Sequence, residues 1–252
     1  MEIYIGTILL EKNRWRKEPP AIKVSQWLNR FAEDAFDGVE LWERHYTEAS
    51  KEKRESIVSG PLPIAVYNTY VAFCDDSCDQ RYLAAKAAHN LKATAIKYNL
   101  GNDISRKDEY IRNLRSFKSA LPDGCRLLCE CHSGTIMHDP LVASDILDEL
   151  SDSCYQTIVH GFSDPEATAM WLSHLKDRIT HVHVSIRNSR SLNTTLRESS
   201  TKAAQCIAAL KEGGFRGTYT LEFAKGLRNE DENSEDEYAA ARDDLAFLRE
   251  AL

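Results

Sequence analysis

Short apolar runs alternate with longer amphipathic stretches along the whole chain. Runs beginning near Ile3, Gly38, Ile64, Ala93, Arg126, Gln156, Ile179 and Gly217 are brief, apolar and β-branched, as buried strands are. Between them the apolar spacing widens to three and four residues, which predicts helices over 24–36, 80–91, 107–121, 139–150, 164–175, 201–212 and 236–252. Asp79 reads as an N-cap, and Asp164 followed by Pro165 reads as a cap with proline in the first turn. The unit after the second strand is abbreviated, with one short charged helix over 48–57 before Gly60-Pro61-Leu62-Pro63. The acidic run 229–235 reads as a solvated loop before the last helix.

Strand–helix alternation implies a parallel sheet with right-handed crossovers. Eight such units in 252 residues, with no Gly/Ser-rich linker between them, favour one α/β domain over 1–252, closed as a (β/α)8 TIM barrel. In that architecture functional groups gather at the C-terminal ends of the strands. Glu40, Glu130, His132, His160, His183 and Glu222 all fall late in their strands and would converge on one mouth.

Three of those strands carry metal-ligand side chains within apolar surroundings. They are Cys129-Glu130-Cys131-His132, His181-Val182-His183 and Leu221-Glu222-Phe223. Buried carboxylates and imidazoles need compensation, and a divalent cation satisfies both at once. Glu130 and Glu222 are poor core filler, so a site is the better reading for both. His181 fits a hydrogen-bonded core histidine equally well.

Gly38-Val39-Glu40-Leu41-Trp42, Cys129-Glu130-Cys131-His132-Ser133-Gly134-Thr135, Asp177 to Val184 and Gly217 to Glu222 together resemble the xylose isomerase-like barrel superfamily, and within it the sugar phosphate isomerase/epimerase group. The resemblance spans essentially the whole chain. It implies one divalent ion, commonly Mn, Mg, Co or Zn, held by Glu, Asp, His and Glu, and it implies that a homodimer is possible. Carried onto this sequence, Glu130, His183 and Glu222 fill three of those places. His160 stands where the family has Asp, giving two Glu and two His and tilting preference from magnesium towards zinc, cobalt or manganese. Loss of the metal is the alternative outcome of that exchange.

The remaining candidates surround this set. His132, two residues after Glu130, would contact substrate or shuttle a proton. Glu40 reads as a residue behind the ligands or a substrate contact, or else as a salt-bridge partner of Arg44. His45 and Trp42 would wall the pocket. Lys97, inside an apolar strand, reads as a Schiff-base nucleophile or as an ammonium reaching the mouth carboxylates. Arg187 and Arg190 would meet phosphate or sugar hydroxyls, or lie in a surface loop. The chemistry these residues suit is proton transfer beside a carbonyl through an enediolate, with Glu130 and Glu222 as an acid–base pair. An inosose-type dehydratase and a non-catalytic sugar-binding barrel are the alternatives.

Composition narrows the field further. The net charge of −7, with scattered Lys and Arg, argues against nucleic acid as a partner and leaves a small sugar- or polyol-like substrate. No glycine-rich phosphate cradle is present, so no organic cofactor is expected. Apolar runs are too short for a bilayer, so no membrane association is expected. The first residues read directly as a strand, so the protein is expected to be cytoplasmic. Seven dispersed cysteines then read as reduced thiols, with Cys129 and Cys131 turned from Glu130 towards the helices, and Cys74 and Cys78 resembling half a zinc site with no second half.

Overall fold

The structure, a computed structural model, describes residues 1–14, 18–226 and 233–252. In chain order the strands are β1 (Ile3–Gly6), β2 (Gly38–Trp42), β3 (Ile64–Asn68), β4 (Ala95–Tyr98), β5 (Arg126–Glu130), β6 (Tyr155–Val159), β7 (Ile179–Arg187), β8 (Asn193–Thr194) and β9 (Thr218–Phe223). Eight of them, all but β8, pair in parallel in the order β6-β5-β4-β3-β2-β1-β9-β7, and β7 returns to β6 to close the barrel. β8 instead folds back antiparallel on β7, so β7 runs out of the barrel into a hairpin above the mouth.

The helices are α1 (Leu28–Glu33), α2 (Glu43–Thr47), α3 (Lys51–Val58), α4 (Cys78–Leu91), α5 (Lys107–Lys118), α6 (Pro140–Leu150), α7 (Pro165–Leu175), α8 (Ser200–Glu212) and α9 (Ser234–Ala251). Their apolar faces pack on the outside of the strands, forming the main core. No helix among the described residues is long and apolar enough to cross a membrane.

Local chemistry explains most boundaries. Asp164 and Asp139 cap α7 and α6, each accepting backbone N–H bonds ahead of a proline at the helix start. The helix expected over 24–36 is a 3-10 turn, Val24–Gln26, followed by the short α1. Ala35 stops it by taking the left-handed region at φ 64°, while the Phe36 N–H bonds back to the Phe31 carbonyl. The short helix over 48–57 is in fact two, α2 and α3, split where Ser50 caps the second. Asp79 does not cap α4; it lies in the first turn, because a 3-10 turn at Asp75–Ser77 starts the helix earlier. Of the acidic run 229–235, residues 229–232 lie outside the described residues, whereas Asn233 caps α9 and the last two residues are helical.

Inside the barrel, alternation along each strand sorts side chains into layers. The lower layer is a small apolar cluster of Tyr4, Ala65, Val66, Ala95, Leu128 and Ile158. Two residues further along the same strands stand Asn68, Lys97, Glu130 and His160. β7 and β9 depart from an apolar lower layer, supplying His181 and Thr220 there and His183 and Glu222 above. Where β7 and β9 meet, Gly217 is required by space, since a Cβ there would lie 2.1 Å from the Thr180 carbonyl oxygen.

Candidate metal centre

The upper layer brings four candidate ligands together. Glu130 at the end of β5, His160 just past β6, His183 on β7 and Glu222 on β9 each place one donor atom within 4.8 Å of the others. Glu130 Oε1 lies 3.2 Å from His160 Nε2 and 3.4 Å from His183 Nδ1. Glu222 Oε1 is 3.5 Å from His183 Nδ1, and its Oε2 is 3.8 Å from His160 Nδ1. Two of these atoms, His183 Nδ1 and Glu222 Oε2, are buried without a hydrogen-bond partner. Orphaned buried donors and acceptors are rare in folded proteins, and convergent ones are what an ion would satisfy.

The surroundings orient this set. Glu40 on β2 accepts from His183 Nε2 at 3.1 Å, which leaves Nδ1 as the nitrogen facing the cluster. Asn68 Nδ2 donates to the other Glu40 oxygen at 2.8 Å. Burial works to raise the Glu40 carboxyl, but His183 and His181 outweigh it and hold it below the ordinary range. Burial likewise pulls the His183 imidazole down, yet Glu40, Glu222 and Glu130 together push it well above its usual value. Glu40, Glu130 and Glu222 bring three carboxylates, Lys97 neutralises one of them, and a doubly charged ion would balance the other two. The donor set and its charge fit a divalent cation.

His181, one layer down, is a satisfied core histidine. Thr218 Oγ1 lies 2.6 Å from its Nδ1 and Thr220 Oγ1 2.9 Å from its Nε2, with the Tyr4 ring stacked alongside.

Above the cluster opens a cavity of about 530 Å³. His132, Arg187, Glu130, His160 and Glu222 line it, together with Asn99, Ser163, Ser185, Tyr70, Trp171 and Phe223. Arg187 stands at the exposed rim, its Nε 3.4 Å from Asn193 Oδ1.

Three residues expected around the substrate, Glu40, His45 and Lys97, do not line this cavity. Glu40 is 1% exposed and lies beneath His183, because a carboxylate at that depth serves the imidazole above it. It makes no pair with Arg44, which engages Glu48. His45 is buried away from the cavity, between Thr7 Oγ1 at 2.9 Å and Glu11 Oε2 at 3.2 Å, and Trp42 packs edge-on against it. Lys97 is 1% exposed and does not line the cavity; of its two readings the structure gives the second, an ammonium reaching a mouth carboxylate, Glu130 Oε2 at 2.7 Å. Burial pulls the Lys97 ammonium down, but Glu130 and Tyr70 reverse this and push it above its ordinary value, opposite to the shift a Schiff-base nucleophile needs. Glu130 is held well below the ordinary carboxylate range against burial, chiefly by Lys97 and then by His160 and His183.

The cysteines are free thiols. Cys129 packs in the core as expected, whereas Cys131, one residue past the end of β5, also reaches the cavity wall. Sequence reasoning missed Asn99, whose Nδ2 donates to Glu130 Oε2 at 3.2 Å. Its place two residues after Lys97 is the period-two signal that could have found it. Tyr70 and Trp171 come from a loop and a helix, and no periodicity marks them.

No family model matches the chain, and no curated protein does. Solved structures do match. One is a probable 3-DHS dehydratase, AsbF, from Bacillus anthracis, at 15% identity over 99% of each chain with a TM-score of 0.74. Another is a D-psicose 3-epimerase from Clostridium cellulolyticum H10, solved with D-tagatose, at 11% identity over 100% of this chain and 99% of that one, TM-score 0.72. A third is the IolI protein with a bound zinc atom, at 11% identity over 98% of each chain, TM-score 0.68. With its eight closed parallel strands, the chain shares with these structures the fold of a (β/α)8 TIM barrel.

Proposed function

We propose that the protein is a metal-dependent isomerase or epimerase of sugars or related hydroxy-ketones, moving a proton at the carbon beside a carbonyl. The observation that supports this reading is a pair of buried atoms with no hydrogen-bond partner among the described residues, Glu222 Oε2 and His183 Nδ1, in the ligand cluster beneath a cavity sized for one small molecule. Glu130, His160, His183 and Glu222 would hold the ion, which would supply electrophilic stabilisation of negative charge beside a carbonyl. Two carboxylates with two imidazoles suit zinc, cobalt or manganese better than magnesium.

The side chains of the protein do the rest. Glu222 offers a carboxylate oxygen to take the proton from carbon and to return it for isomerisation, and epimerisation would add Glu130 as the carrier on the opposite face. His132 and Arg187 orient hydroxyls or an anionic group, and Tyr70, Trp171 and Phe223 supply aromatic wall for the C–H edges of a sugar. A second reading, loss of water after the same proton abstraction, draws on His132. Its ring lines the cavity with its centroid 5.9 Å from that of His160, within range of a departing hydroxyl.

The test is solvent exchange. Incubating the metal-loaded protein with a panel of ketoses in deuterated water should place deuterium beside the carbonyl of at least one. Glu222→Gln, compared at saturating metal, should slow that exchange by about 10²–10⁴-fold. Exchange at the wild-type rate in the fully metallated variant would sink the proposal.

A further inference from the structure

Glu130 and Glu222, alike in the sequence, are held very differently. Glu130 Oε2 receives Lys97 Nζ at 2.7 Å and Asn99 Nδ2 at 3.2 Å, so only Oε1 is turned towards the imidazoles. The Tyr70 ring covers the ammonium, with Lys97 Nζ 4.3 Å from its centroid, and separates it from the cavity. Among the described residues Glu222 has no such clamp, and its Oε2 has no hydrogen-bond partner.

We propose that Lys97 is a positioning residue that presents Glu130 to the ion through one oxygen and withdraws it from proton transfer, leaving Glu222 as the carboxylate that carries the proton. This rests on the function proposed above and narrows it. The C–H bond beside the carbonyl breaks, its electron pair forms the enediol double bond, and the carbonyl π pair moves to oxygen while Glu222 takes the proton. Protonated Glu222, its proton exchangeable with solvent, then protonates the former carbonyl carbon with the double-bond pair, while the hydroxyl proton of the first carbon passes to the former carbonyl oxygen and a new carbonyl forms at the first carbon, giving the isomer. Delivered instead to a hydroxyl on the next carbon, the proton leaves with it as water and an unsaturated ketone remains. Both outcomes are completed on one face of the substrate. Inversion at the carbon needs a second carrier on the opposite face, and Lys97 removes Glu130 from that role.

The first test needs no substrate. Wild type, Lys97→Met and Lys97→Arg would be loaded with Co²⁺ alone and their visible spectra compared. Freed from Lys97, Glu130 can close both oxygens on the ion, so Lys97→Met should show weaker, shifted bands of higher coordination, and Lys97→Arg should restore the wild-type spectrum. Asn99→Ala, which removes only the second donor, should shift the bands in the same direction by less, and it serves if Lys97→Met does not fold. Spectra of the folded variants superimposing on wild type would overturn the role of Lys97 while leaving the proposed function standing. Failure of the wild type to bind Co²⁺ at all would remove both. The second test uses the ketoses that exchange in deuterated water. Wild type should exchange with retention at the labelled carbon, and an inverted product from wild type would overturn the division of roles.

Discussion

Partners, more than position, separate the two histidines of β7. His181 and His183 share a face and differ by one pleat, so the sequence offers both to the mouth. Only the hydrogen-bond count distinguishes them, since His181 has a threonine on each nitrogen and His183 has Glu40 on one alone. Glu40 thereby fixes which nitrogen of His183 faces the cluster of candidate ligands. Glu40→Ala should weaken Zn²⁺ binding by about 10–100-fold in a calorimetric titration, the range seen when a partner behind a ligand is removed. It should do so without reshaping the cavity, which Glu40 does not line. An unchanged Kd would show that His183 needs no orientation. That Glu130, His160, His183 and Glu222 converge was legible from period-two alternation and the strand ends, whereas the family resemblance singled out these four as the candidate ligands. Lys97 was legible as an ammonium reaching the mouth carboxylates, but not which one it meets, because its reach to Glu130 depends on the register that sets Lys97 beside Leu128.

Elements show where periodicity gives out. Strand positions were readable to within about two residues, because an apolar β-branched run has only one use here. Helix starts were less so. The 24–36 stretch has the spacing of one helix, but Ala35 at positive φ and the preceding 3-10 turn cut it to six residues. Helix α9 carries a feature hidden from any pattern. Asp244 is buried and accepts the Leu196 N–H at 2.6 Å, tying the loop after β8 to this helix. Burial pushes its carboxyl up to about 8, against the pull of that N–H. The folded chain therefore keeps a proton there that the unfolded chain releases near 3.8, so this group's contribution to stability falls as pH rises from about 4 to about 8. Asp244→Asn, which keeps an acceptor for Leu196, should flatten that slope and stabilise the fold at pH 8 by on the order of 1–3 kcal/mol. Melting curves at pH 5 and pH 8 would decide it; an unaltered difference between them would mean the carboxyl is already ionised.

For the molecule as a whole, barrel closure turns four separated segments into one site. The closed architecture was readable because eight repeats of one alternation leave little else for the chain to form. The loops that wall the cavity were not, since Tyr70 and Trp171 owe their places to tertiary packing. Closure also sets Glu40 and His183 against each other across the barrel, bonded although 143 residues apart in sequence. Such a bond works as a cross-brace: it resists flattening of the barrel's cross-section, which neighbour-to-neighbour strand pairing alone would permit. Amides of β2 and β7 should then exchange with deuterated solvent only by opening of the entire barrel, and Glu40→Ala should let them exchange through smaller, local openings. The same carboxylate that aims a ligand thus sets how far the barrel can breathe.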